Sequence, residues 1–148
     1  MKKLLIVVLS ITTFLFAIDF TFTKAWHNFT KGMKIVNQNP QEAQIYFKKS
    51  YNLIQKIKDR PSSQVYYMLG RMYCNGWGVE KDLSKAEIYF KKALSLGNKR
   101  VNCCLARLYI KMGKKELAKK YLNIALNHPN LKIYCTDINP SNLTIKDK

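Results

Sequence analysis

Val65-Tyr66-Tyr67-Met68-Leu69-Gly70-Arg71-Met72-Tyr73 returns thirty-six residues later as Val101-Asn102-Cys103-Cys104-Leu105-Ala106-Arg107-Leu108-Tyr109. A second segment, Ala86-Glu87-Ile88-Tyr89-Phe90-Lys91-Lys92-Ala93-Leu94, returns after thirty-two residues as Ala118-Lys119-Lys120-Tyr121-Leu122-Asn123-Ile124-Ala125-Leu126. It has a forerunner forty-three residues upstream in Ala43-Gln44-Ile45-Tyr46-Phe47-Lys48-Lys49-Ser50-Tyr51. Self-similarity at such a period marks a repeat architecture, and the unequal shifts place the length differences in the connections. Within each segment the apolar residues recur every three or four positions. Leu83, Ala86, Tyr89-Phe90 and Ala93-Leu94 form one stripe, while Lys81, Lys85, Lys91 and Lys92 fall outside it. Each unit therefore reads as two helices. Alanines 86, 93, 118 and 125 mark close helix approach. Asp82 suits the start of a second helix, and Gly97-Asn98 its stop. One such pair has too little partner surface to stand alone, so neighbouring pairs must stack.

The 148 residues hold 47% apolar residues, six Gly, four Pro and four Cys, enough for a packed core and unlike a disordered or collagen-like chain. His27 and His128 lie far apart, which leaves little from which to build a His-based metal site or triad. Lys+Arg number 26 against 9 Asp+Glu, for a net charge of +17. Only Arg60, Arg71, Arg100 and Arg107 are arginines, so the charge is a lysine-rich background and argues against a dedicated nucleic-acid surface. It would still attract anionic envelope polymers in a salt-dependent way.

At the N-terminus, Met1-Lys2-Lys3 precedes the uncharged run Leu4–Ala17, too short for a comfortable membrane span. It reads as a signal peptide over residues 1–17, cut after Ala17, and the protein is expected in the periplasm or outside the cell. Cleavage removes two lysines and no acid, so the mature chain stays basic. Beyond it the organisation is a degenerate helix pair over 18–60, a full repeat over 61–98, a second over 99–128, and a C-terminal cap and tail over 129–148. Asn139 to Lys148 is polar and reads as loose.

The stretch from Tyr67 to Ala86 resembles the signature of the Sel-like repeat family at Leu69-Gly70, Met72-Tyr73, Gly76, Gly78-Val79, Asp82 and Lys85-Ala86, continuing into Tyr89-Phe90 and Lys92-Ala93. Residues 99–127 resemble the related tetratricopeptide repeat, with Met112-Gly113-Lys114-Lys115 as a shorter turn. The resemblance is weaker over 22–60, where Gly32 stands near its expected place and Pro40 interrupts between helices. It implies an all-α, right-handed α-solenoid of about two to three antiparallel helix pairs, non-catalytic and without cofactor, binding a protein or peptide on its concave face. The first helix of each pair lines that face in such repeats, which places Arg71 and Arg107 in it, and Tyr67, Asn75, Arg100 and Lys111 share the face at helical spacing. A basic groove of this kind suits an acidic segment or a free carboxylate, which guanidinium forks grip bidentately. The competing expectation is that both arginines are solvated or paired within the repeat.

Trp77 in the loop is a second contact candidate, although packing against the next repeat is the default for it. Trp26 is expected in the core stripe Phe22, Trp26, Phe29, Met33, Val36. Export makes Cys74, Cys103, Cys104 and Cys135 disulfide candidates. A vicinal Cys103–Cys104 bridge would strain a helix, and Cys135, after the last helix, is expected to fold back beside the start of the helix carrying that pair and bond to one of the two, with Cys74 taking the other. Cysteine-rich relatives in the family place their bridges elsewhere, so no pairing is carried over from them. Some of those relatives are described as penicillin-binding or β-lactamase-like, which gives a rival, enzymatic reading. The Ser-x-x-Lys and Lys-Thr-Gly elements of a serine acyl-transfer enzyme do not occur in the sequence.

Overall fold

A computed structural model of the protein describes residues 20–59 and 62–145. The expected signal peptide at 1–17 lies outside the described residues. The chain divides between residues 60 and 61 into two compact units. No helix among the described residues is long and apolar enough to cross a membrane.

The first unit pairs helix α1, residues 20–35, with α2, Pro40–Gln55. Pro40 does not break a helix but opens one: it occupies the first turn of α2, where a missing N–H costs nothing, and the Asn39 side chain caps that turn by accepting from the Glu42 N–H at 3.1 Å. Ala25, Phe29 and Gly32 of α1 face Phe47 and Ser50 of α2, and the Ser50 hydroxyl donates to the Ala25 carbonyl at 2.8 Å. A Cβ on Gly32 would stand 2.7 Å from Cε1 of Phe47, so α2 reaches α1 only because residue 32 has no side chain. That contact corrects the expected core stripe by one position. Phe29 is buried, but Trp26 is 39% exposed, because the small residues at 25 and 32 must point inward and rotate Trp26 out.

The second unit stacks two pairs, α3 (Ser63–Asn75) with α4 (Leu83–Ser95) and α5 (Val101–Lys111) with α6 (Lys115–Leu126). This is the all-α repeat arrangement that the internal similarity dictates. Ser62 caps α3 and Asp82 caps α4, each accepting a backbone N–H three residues on, at 3.3 and 2.9 Å. Between these helices Gly76 and Gly78 have φ of 71° and 70°, a backbone state that side chains resist, which is why the loop carries glycine twice. Ala86, Ala93, Ala118 and Ala125 are all fully buried at the helix seams. Corresponding tyrosines stack within each pair: Tyr73 on Tyr89, centroids 5.7 Å apart, and Tyr109 on Tyr121 at 5.5 Å.

The two pairs are tied by polar contacts as well as by the shared core. The Tyr109 hydroxyl of α5 donates to Glu87 of α4 at 2.9 Å, and Lys91 donates to the same oxygen at 2.6 Å. Burial, reinforced by the Glu87 bond, pushes the Tyr109 phenol up to about 12 from 10.0. A raised pKa makes the folded state hold a proton that the unfolded chain releases first. The associated stability is therefore complete below pH 10 and is lost as pH climbs towards 12. Denaturant midpoints should fall across that window, and Tyr109→Phe should show a shallower fall; identical slopes would remove Tyr109 as the cause.

After α6 the chain turns back on itself. A 3-10 turn at Lys132–Tyr134 leads into two short antiparallel strands, β1 (Ile138–Asn139) and β2 (Thr144–Ile145). The tail expected to be loose thus forms a hairpin as far as residue 145. Ahead of it, the apolar residues Leu131, Cys135 and Ile138 are buried against Ala106, Leu122 and Ala125. They cover the apolar surface that the last repeat would otherwise leave open.

Candidate functional site

Helical spacing places Tyr67, Arg71 and Asn75 on one stripe of α3, and they bond to one another along it. The Arg71 guanidinium donates to the Tyr67 hydroxyl at 2.9 Å, and Asn75 Nδ2 donates to the Arg71 carbonyl at 2.9 Å. Lys111, at the end of α5, reaches across to Asn75 Oδ1 at 2.9 Å. Trp77 lies under this chain of contacts, half-buried, with the Arg71 guanidinium 4.9 Å from its ring centroid and 5.8 Å from that of Tyr67. The guanidinium is thus positioned by two aromatic rings and a hydroxyl. Among the described residues it forms no ion pair.

Arg107, one repeat on, is placed differently. Its Nε donates to Asp137 Oδ2 at 2.6 Å, while Nη2 donates both to Asp137 Oδ1 and to the Tyr134 carbonyl. Arg100 lies over the Tyr134 ring, 4.9 Å from its centroid. Of the six residues expected on the face, four therefore assemble around α3 and the end of α5. Arg100 and Arg107 engage the folded-back tail, so Arg107 does pair with an acid, but with one from the cap beyond its repeat. Asp137 and Tyr134 had no signal in the sequence, because a tail without periodicity does not reveal what it packs against.

The four cysteines also depart from expectation. Cys103 bonds to Cys135, one of the two pairings foreseen, but Cys74 and Cys104 remain thiols and do not form a second bridge. Both are buried. Burial pushes each thiol up, while Arg71 and Arg107 oppose the shift at both and Lys111 also opposes it at Cys74. Thiols held protonated in this way are poor nucleophiles. Burial likewise raises the Tyr67 phenol against the pull of Arg71 and Arg107. Arg71 and Arg107 therefore act on one small region, with Lys111 reaching part of it and Asp137 the acid that enters. Among the described residues, no group of three or more His, Cys, Asp or Glu gathers that could hold a metal ion.

The Sel1 repeat family matches residues 28–53 and 63–98, and the tetratricopeptide repeat family matches residues 100–127. The chain is a Sel1-like, tetratricopeptide-like repeat protein. No curated protein and no solved structure matches it at a significant level. In this Sel1-like repeat protein the helix pairs are of the kind that build scaffolds for protein–protein interaction. The family positions also account for the glycines: Gly70 sits where α4 presses Phe90 against α3, and Gly76 where the chain leaves α3 in a left-handed turn.

Proposed function

We propose that this Sel1-like repeat protein is an exported, non-catalytic scaffold, and that it binds an acidic segment of a partner protein on the face formed by Tyr67, Arg71, Asn75 and Lys111. The supporting observation is the environment of Arg71. Its guanidinium is oriented by Tyr67 and Trp77 and has no ion-pair partner among the described residues. A positioned guanidinium on a half-buried aromatic floor takes a carboxylate with little loss of side-chain freedom. The general basic excess draws acidic partners in, and Arg71 supplies the contact that survives salt.

Titrating the full chain with a labelled acidic peptide at physiological salt tests this reading. Arg71→Ala should weaken binding about tenfold or more, the effect of removing one charge-assisted bond pair. Exchange of an exposed lysine such as Lys119 for Ala should change affinity far less. Equal affinities for the wild type and the Arg71 variant would sink the assignment. Turnover of a chromogenic β-lactam by the purified protein would overturn the non-catalytic part.

A further inference from the structure

Arg71 and Arg107 occupy the same position in successive repeats, yet only Arg107 holds a carboxylate, and that carboxylate comes from the chain itself. The tail presents Arg107 with what a peptide ligand would present: an acidic side chain from Asp137 and a main-chain carbonyl from Tyr134. Covering the last helix pair does not require that acid. Leu131, Cys135 and Ile138 already fill the apolar surface. The carboxylate adds occupancy of a cationic position on the same kind of helix face.

We propose that residues 131–138 are a built-in ligand of this face, held over Arg107 by the Cys103–Cys135 disulfide, and that reduction of this bond opens the α5 position to an acidic segment of a partner protein. The idea rests on the reading of Arg71 given above and extends it to a second, gated position. The covalent step is a thiol–disulfide exchange with a dithiol reductant: the Cys103–Cys135 bond breaks, two protein thiols form, and the dithiol is oxidised to its own disulfide. Both sulfurs are buried, so attack follows local opening of the tail. Apart from the disulfide, the tail's regular structure is one 3-10 turn and two strands of two residues, the kind of segment that opens ahead of a helical core. With the bond cut, Asp137 becomes a competitor that an acidic segment in trans can displace.

The experiment uses the full chain, oxidised and then reduced by a dithiol, with conversion followed by thiol titration. Two readouts are taken: the rate of tryptic cleavage after the exposed Lys132, and the affinity for a fluorescein-labelled peptide of alternating Asp and Gly, with an Asn-Gly peptide as control. On reduction, cleavage after Lys132 should accelerate and the acidic peptide should bind about tenfold more tightly as a second guanidinium becomes available. Asp137→Asn with the disulfide intact should show part of the gain, which keeps the test independent of whether cysteine variants fold. An unchanged cleavage rate after full reduction overturns the latch. So does a tail that opens without any gain in affinity. If Arg71→Ala weakens binding while reduction does nothing, the Arg71 reading stands and the gate falls; if the acidic peptide binds neither form, both fall.

Discussion

Replacing Gly70 with alanine is expected to lower the unfolding free energy by about 2 kcal/mol, and adding Phe90→Leu is expected to restore most of that loss. Helix propensity alone points the other way, since alanine in a helix interior is favoured over glycine by about 1 kcal/mol. Steric overlap decides the sign. A Cβ built on Gly70 would overlap the edge of the Phe90 ring at Cδ1 and Cε1, with Cε1 2.5 Å away, and Phe90 is itself fully buried and cannot swing aside. The next repeat shows the compatible pair, with Ala106 and Leu122 at the positions equivalent to Gly70 and Phe90, both buried in one cluster. Phe90→Leu alone should cost about 1–2 kcal/mol through the space it leaves. The double variant should then be more stable than Gly70→Ala alone, with a coupling of roughly 2–3 kcal/mol. Urea unfolding followed by far-ultraviolet circular dichroism measures all three. Additive losses would mean that the two residues do not meet and that the repeat alignment is wrong here.

The same pair explains why the fold was legible. Ring-and-glycine contacts lie within a single helix pair, and the positions that make them recur from pair to pair, so aligning the chain with itself marks those positions without coordinates. Gly32 with Phe47 repeats the device in the first unit. Tyr67, Arg71 and Asn75 were legible for a related reason, because spacing along one helix fixes a shared face. What the pattern could not reveal depends on rotation or on aperiodic chain. Trp26 was misplaced by one helical position, since an aromatic stripe and a small-residue stripe overlapped on α1 and close packing favoured the small residues. The partner of Arg107 lies thirty residues further on, in a tail without repeat or period, and nothing in the composition of that tail distinguishes a folded hairpin from a loose end. The cysteines are half legible: a chain that folds back after the last helix meets the start of the helix carrying Cys103 and Cys104, which limits Cys135 to two partners, but whether Cys74 and Cys104 come into bonding register is set by the stacking of one pair on the next.

Arg107→Met is expected to cost more than Asp137→Asn, about 2 kcal/mol against about 1, although both break the same ion pair. The asymmetry follows from what each change leaves behind. Without Arg107, the Asp137 carboxylate stays in a site where its side chain is only 16% exposed, and the Tyr134 carbonyl loses a charged donor. Without the Asp137 charge, the guanidinium keeps the Tyr134 carbonyl, and its own side chain is 23% exposed to water. These exposures keep the losses below those of fully buried pairs, where removing one partner costs about 3–5 kcal/mol. The double variant Arg107→Met with Asp137→Asn should be less damaging than Arg107→Met alone, because the part-buried negative charge is then removed together with its counter-charge. Amide exchange locates the effect: protection should fall in residues 131–139 and on the facing side of α5, while α3 and α4 keep theirs, since the tail opens as a local unit. Equal costs for the two single changes would show that the carboxylate is well hydrated, and that the tail is held by its disulfide and apolar residues without electrostatic help from Arg107.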